Sequence, residues 1–198
     1  MSRIWYIGGW GFVAVCATLL FRSQRPDIYG FHEQIIPFPA GAIGSSAASW
    51  FGAAKPHCNA LEVEVRIQAS PPPGGWEGAG YGAACWAVAG RTERAREAIL
   101  ALPESQRDAA AGIVFGIGHP IADAGDDRSA GPIMHLVVEF QPYNYMALYH
   151  AGMSYYTIGR HAEAKHHLTA FLGQYSIDDG WRANAREVLG RLEKERGS

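Results

Sequence analysis

The sequence predicts an all-α protein, and three observations carry that reading. A residue pattern recurs at intervals of 34 to 35 from Trp76 onward. The closing stretch sets its apolar residues on one helical face. The opening run from Ile4 to Phe21 holds 18 residues without a charge. The 198 residues are 48% apolar, 12% aromatic and 18% charged, a composition that can bury a core and that argues against polar disorder. A net charge of −2 excludes a broad electrostatic grip on nucleic acid, so no nucleic acid is expected as a partner. Charge is unevenly divided. Residues 1–54 carry Arg3, Arg22 and Arg25 against Asp27 and Glu33, a net of +1, which leaves −3 for the rest.

Residues 1–22 read as a transmembrane anchor. At about 1.5 Å per residue the uncharged run reaches roughly 27 Å, enough to cross a hydrocarbon core. Arg3 and Arg22 bound it, Trp5, Tyr6 and Trp10 cluster toward one end as interfacial rings do, and Phe21 closes the other. A cleaved signal peptide fits less well, because the aromatic end is on the wrong side and no small-x-small site precedes Arg22. A lipoprotein signal at Cys16 meets a bulky Val15. The bilayer is therefore an expected partner, through residues 4–21 of a single-pass protein. Basic residues nearly balance across the span, and the expectation is a bacterial inner membrane with the remainder exported.

Residues 23–75 read as a Gly/Pro-rich connector. Ile35–Ala54 has no charge, yet Pro37, Pro39, Gly41, Gly44 and Gly52 make it a weak spanning helix. The reading is an extended Ile35–Ala40, then a short helix over Ala42–Ala54 with Ile43, Ala47, Trp50 and Phe51 on one side. That side would lie on a membrane surface or a partner, or fold onto the chain's own domain. Leu61 to Gln68 alternates apolar and polar, a strand pattern, but no second strand is near, and Asn59 is placed to cap a helix instead. Both readings stand. Pro71-Pro72-Pro73-Gly74-Gly75 marks a boundary.

Residues 76–198 form the repeat domain. The copies are Trp76–Ala109, Ala111–Asn144 and Tyr145–Asp178. Relative positions 8, 11, 15, 20 and 24 hold Ala83, Trp86, Gly90, Ala95 and Ile99 in the first copy. In the second they hold Gly118, Ile121, Gly125, Ala130 and Met134, and in the third Gly152, Tyr155, Gly159, Ala164 and Leu168. Small residues at 8 and 20 let two antiparallel helices approach. The larger residue at 11 fills the gap between repeats, and glycine at 15 makes the turn. The second copy departs from this pattern. Pro120 and Pro132 fall inside its helices, which predicts a shortened or displaced first helix, and its turn, Ala122 to Asp127, is acidic. After Asp178 and Asp179, residues Trp181, Ala185, Val188, Leu189 and Leu192 share one face, as a capping helix requires.

The pattern resembles the tetratricopeptide repeat (TPR) family over about 103 residues, most closely in Pro142-Tyr143-Asn144, Ala151-Gly152, Tyr155, Gly159, Ala164 and Leu168. The resemblance implies three helical hairpins with a groove lined by the first helix of each. In the third copy that wall carries Met146, Tyr149, Met153 and Tyr156, and in the second Phe115 and His119. It is apolar and aromatic, suited to a helix or an extended peptide, unless it packs on the chain's own residues 35–68. It lacks the Lys/Asn/Arg set of a carboxylate clamp.

No catalytic constellation stands out: there is no phosphate loop, dinucleotide fingerprint, nucleophile elbow or His-Glu-x-x-His. No cofactor is expected. Cys58 and Cys85 could pair if exported, but Cys85, in a repeat helix beside Trp86, reads better as a small buried thiol. His161, His166 and His167 read as surface histidines, with His166 and His167 on different faces. His119 with Asp123, Asp126 and Asp127 is the one group that mixes metal-ligand types.

The function expected is a non-catalytic, membrane-anchored scaffold, an accessory or assembly subunit whose partners are protein subunits of a membrane complex. One alternative is a chaperone-like or targeting adaptor that binds client peptides in the groove. The other is a small metal-binding protein or enzyme using His119 and the acidic turn.

Overall fold

The computed structural model describes residues 46–197, and every regular element among them is helical. The elements are α1 (Ala47–Ala54), a short 3-10 turn (Lys55–His57), α2 (Val63–Ala69), α3 (Trp76–Val88), α4 (Thr92–Leu100), α5 (Glu104–Asp123), α6 (Asp127–Phe140), α7 (Tyr145–Thr157), α8 (His161–Gln174) and α9 (Gly180–Gly197). The anchor over residues 1–22 and the extended stretch at 35–40 lie outside the described residues. Among the described residues no helix is long and apolar enough to cross a membrane.

One helix–turn–helix unit occurs three times, as α3/α4, α5/α6 and α7/α8. Each turn pivots on a glycine with positive φ: Gly90 at 74°, Gly125 at 77° and Gly159 at 80°. The capping bonds are the same each time. The glycine N–H donates to the carbonyl three residues back, and the next N–H donates to the carbonyl five back, as in Arg91 to Trp86, Asp126 to Ile121 and Arg160 to Tyr155. That pair of bonds satisfies carbonyls a helix end would otherwise strand, and only glycine takes this backbone without strain.

Close approach within each unit follows from the small residues. Ala95, Ala130 and Ala164 are each fully buried. A Cβ added at Gly118 would come within 2.5 Å of Ile133 Cγ2, and one at Gly152 within 2.6 Å of Leu168. In the first unit Ala83 and Ile99 hold the matching positions and are both fully buried.

Of the two outcomes its prolines predict, the first helix of the second copy is displaced, starting ahead of Ala111, and is not shortened. Instead α5 runs for 20 residues, beginning at Glu104 and passing through Pro120. The reason is where the lost bond falls. Pro120 lacks the N–H that the Gly116 carbonyl would accept, but both residues are solvent-exposed, so the carbonyl is not stranded in the core. Pro132 stands near the start of α6, and the Arg128 carbonyl it leaves free also belongs to an exposed residue.

Residues 46–75, ahead of the repeats, are folded onto them. In α1, capped by Ser46 Oγ, the residues Ala47, Trp50, Phe51 and Ala54 are buried and pack on α3. The Phe51 and Tyr81 rings lie 5.3 Å apart, and Trp50 Nε1 donates to the Ser70 carbonyl at 3.0 Å. The apolar side read as facing a membrane or a partner therefore faces the chain's own core, where each aromatic side chain removes about 150–250 Å² from water.

Residues 63–69 are helical, not extended. Asn59 Oδ1 accepts from the N–H groups of Leu61 and Glu62 and starts the turn. Val63 and Ile67, four apart, face inward, whereas Leu61 and Val65 are exposed. A lone strand would have had nothing to pair with.

Pro72 and Pro73 lie against α3, where Gly78 and Gly82 make room: an added Cβ would strike the Pro73 carbonyl and come within 3.0 Å of Pro72 Cγ. Cys58 and Cys85 form a disulfide, so Cys85 is buried but is not the free thiol that its sequence context favours. The bridge ties the turn after α1 to α3.

The terminal helix is in place as its sequence requires. Asp179 Oδ1 accepts from the N–H groups of Trp181 and Arg182 and caps α9. Ala185, Val188 and Leu192 are buried in a second apolar cluster with Leu148, Tyr155, Leu168 and Phe171.

Candidate functional site

The side chains with the least satisfied chemistry gather where the last turn of α5 meets α7. His119 and Asp123 are one helical turn apart on α5, and His150 reaches them from α7. His119 Nε2 and His150 Nε2 each lie 3.8 Å from Asp123 Oδ1, and the three ligand atoms all fall within 4.8 Å of one another. At 3.8 Å neither imidazole is hydrogen-bonded to the carboxylate. Both Nε2 atoms are buried without a hydrogen-bond partner.

The surroundings are aromatic. Phe115 stacks on His119 at 5.1 Å between ring centres, His119 meets His150 edge-on at 4.8 Å, and Trp181 of α9 meets His150 at 5.7 Å. His150 is 9% exposed, while the Asp123 side chain is 59% exposed, so the group opens to water on its carboxylate side. Burial holds the His150 pKa below the ordinary range, and the neighbouring His119 adds to that effect, opposed by Asp123 and Asp127. An uncharged imidazole, another beside it and a carboxylate form a donor set for a divalent ion.

Of the acidic residues read together with His119, only Asp123 joins it. Asp126 caps α6, accepting from the Ser129 N–H at 3.3 Å, and Asp127 lies in the first turn of α6. Sequence reading missed His150. It stands 31 residues from His119, and only the packing of α7 beside α5 brings the two together.

The six residues expected to line the groove are placed differently from one another. Phe115 and Met146 are half-buried, with Phe115 packed on the core. Tyr149, Met153 and Tyr156 join the cluster beneath α9. The Tyr149 ring lies 4.6 Å from Trp181 and 5.1 Å from Phe171, and Tyr156 stacks on His161 at 5.9 Å. Much of the third copy's aromatic wall thus rests on the chain's own terminal helix. Trp5, Tyr6, Trp10 and Phe21 lie outside the described residues.

A second histidine pair sits between α6 and α8. His135 Nδ1 and His167 Nε2 share a hydrogen bond of 3.0 Å, and His167 stacks on Tyr155 at 5.8 Å. His167 is only 1% exposed, in contrast to the surface position its sequence suggests; His161 and His166 are exposed. Burial and the neighbouring His135 and His166 lower its pKa to about 4. A cavity of about 340 Å³ opens beside this pair, lined by Arg96, Pro132, His135, Glu139, Tyr155 and Arg160 among others. Its cations are paired, Arg96 with Glu139 at 2.6 Å and Arg160 with Glu163.

Comparison of the chain with protein-family models, curated proteins and solved structures finds no match.

Proposed function

We propose that the protein is a non-catalytic scaffold, anchored in a membrane by residues 4–21, that presents a TPR-like module to other subunits of a membrane complex. The observation that carries the reading is the threefold recurrence of one helix–turn–helix unit. Its turn glycines fall at residues 90, 125 and 159, each with the same two capping bonds. Repeats of this kind stack their first helices side by side, and the resulting face is a surface for protein recognition. Of the apolar side chains expected on that face, Phe115 and Met146 are the two outside the terminal helix cluster; both are half-buried, Phe115 against the main core.

The first residues to remove in a test are 1–45 and not 1–54, because α1 belongs to the core and Cys58 is bridged to Cys85. The more selective test is site-specific photo-crosslinking of the full chain in its native membranes. A photoreactive residue at Phe115 or Met146 is expected to trap the same partner polypeptide. One at Glu97, exposed on α4, should trap none. Equal crosslinking from all three positions, or from none, would overturn the reading.

A further inference from the structure

We infer that His119, Asp123 and His150 form a binding site for a divalent transition-metal ion of the zinc type, with two imidazole nitrogens and one carboxylate oxygen as protein ligands. The geometry leads there in three steps.

The first concerns buried polarity. His150 is nine-tenths buried, its Nε2 has no hydrogen-bond partner, and it points at Asp123 from beyond bonding distance. His119 Nε2 is in the same position. A buried polar atom left unmatched destabilises the fold, and two such atoms aimed at one carboxylate are the arrangement a shared ligand would satisfy.

The second concerns distance. Donor atoms around a zinc-sized ion at bond lengths of about 2.0–2.1 Å stand some 3.0–3.5 Å apart. The separations of 3.8 Å from each nitrogen to Asp123 Oδ1 exceed that by a few tenths of an ångström, and the three ligand atoms lie within 4.8 Å of one another, so the imidazoles as well as the carboxylate draw inward on binding. Asp123 is exposed on the last turn of α5 and can close its part of the gap by rotating its side chain.

The third concerns access and selectivity. The imidazoles stand on separate helices of a packed core, flanked by Phe115 on one side and Trp181 on the other. Nitrogen donors favour zinc, cobalt, nickel or iron over magnesium and calcium, which prefer oxygen. Three protein ligands leave at least one coordination position open toward solvent, beside the exposed carboxylate.

The site goes beyond the scaffold reading, and its test does not depend on that reading. Full-length protein, cleared of metal with a chelator, is titrated with Co²⁺ and Zn²⁺ separately, following the visible absorption of cobalt and the heat of zinc binding. The expected result is one ion per chain, with affinity falling at least tenfold in Asp123→Asn and in His119→Gln. His135→Gln serves as a control for the second histidine pair and should bind as the parent does. Asp123→Asn is the decisive variant, because its side chain is exposed and the fold does not depend on it. Absence of stoichiometric binding, binding undiminished in Asp123→Asn, or binding lost in His135→Gln would each overturn the site.

Discussion

Single glycines in this chain have opposite effects depending on what faces them. At Gly152 an added methyl would press on Leu168, whose backbone nitrogen is also only 3.2 Å away, so the two helices must move apart. Gly152→Ala should cost about 1–3 kcal/mol, as overpacking does. Gly190, within α9, has nothing within 4 Å of an added Cβ, and Gly190→Ala should stabilise by about 0.5–1 kcal/mol. Chemical denaturation of the two variants checks the pair. This contrast was half legible in the sequence, because position 8 of a repeat marks the residue that must be small.

His167 was not legible in that way. Its neighbour His166 is exposed one residue away, and only the packing of α8 against α6 and Tyr155 decides which of the two is buried. The consequence is a pH dependence with a definite sign. The folded state keeps His167 neutral down to about pH 4, whereas an unfolded histidine takes up a proton near 6.5. The stability this confers is complete above about pH 6.5, is lost as pH falls toward 4, and changes no further below that. The loss is on the order of 2–3 kcal/mol, and thermal melts from pH 7.5 to 4 should show it. His167→Gln should flatten that slope, even if the variant is less stable at neutral pH.

At the scale of elements, the units α3/α4, α5/α6 and α7/α8 and the terminal helix could be read from spacing alone, since glycine at the turn and alanine at the crossing impose local geometry. The length of α5 could not. Prolines inside a helix predict a break, and whether the break occurs depends on whether the orphaned carbonyl is buried. At Gly116 it belongs to an exposed residue. The alternation from Leu61 to Gln68 misleads for a related reason: residues four apart share a helical face just as residues two apart share a strand face, and Val63 and Ile67 satisfy both.

The Cys58–Cys85 bridge joins elements across 27 residues. In a chain-entropy account a loop of that length confers about 3–4 kcal/mol. Reduction, or the double change Cys58→Ser with Cys85→Ser, should therefore lower the unfolding midpoint. It should also raise amide exchange in α1 and α2 before it does so in α7–α9, which hydrogen exchange read by mass spectrometry would resolve.

For the whole molecule, the chain combines an uncharged opening run with a mildly acidic helical array, and Cys58, Trp50, Pro72 and Pro73 bind the stretch over residues 46–75 to that array. The segment thus serves the array's core, while the scaffold reading rests on the first 45 residues and on the face carrying Phe115 and Met146. The most direct measurement is the mass of the particle that carries the full chain after extraction from native membranes in mild detergent. A scaffold predicts that detergent is required and that native mass spectrometry finds the 21.5 kDa chain in fixed ratio with other polypeptides. Release of the chain without detergent, as a monomer with no companion, would contradict it.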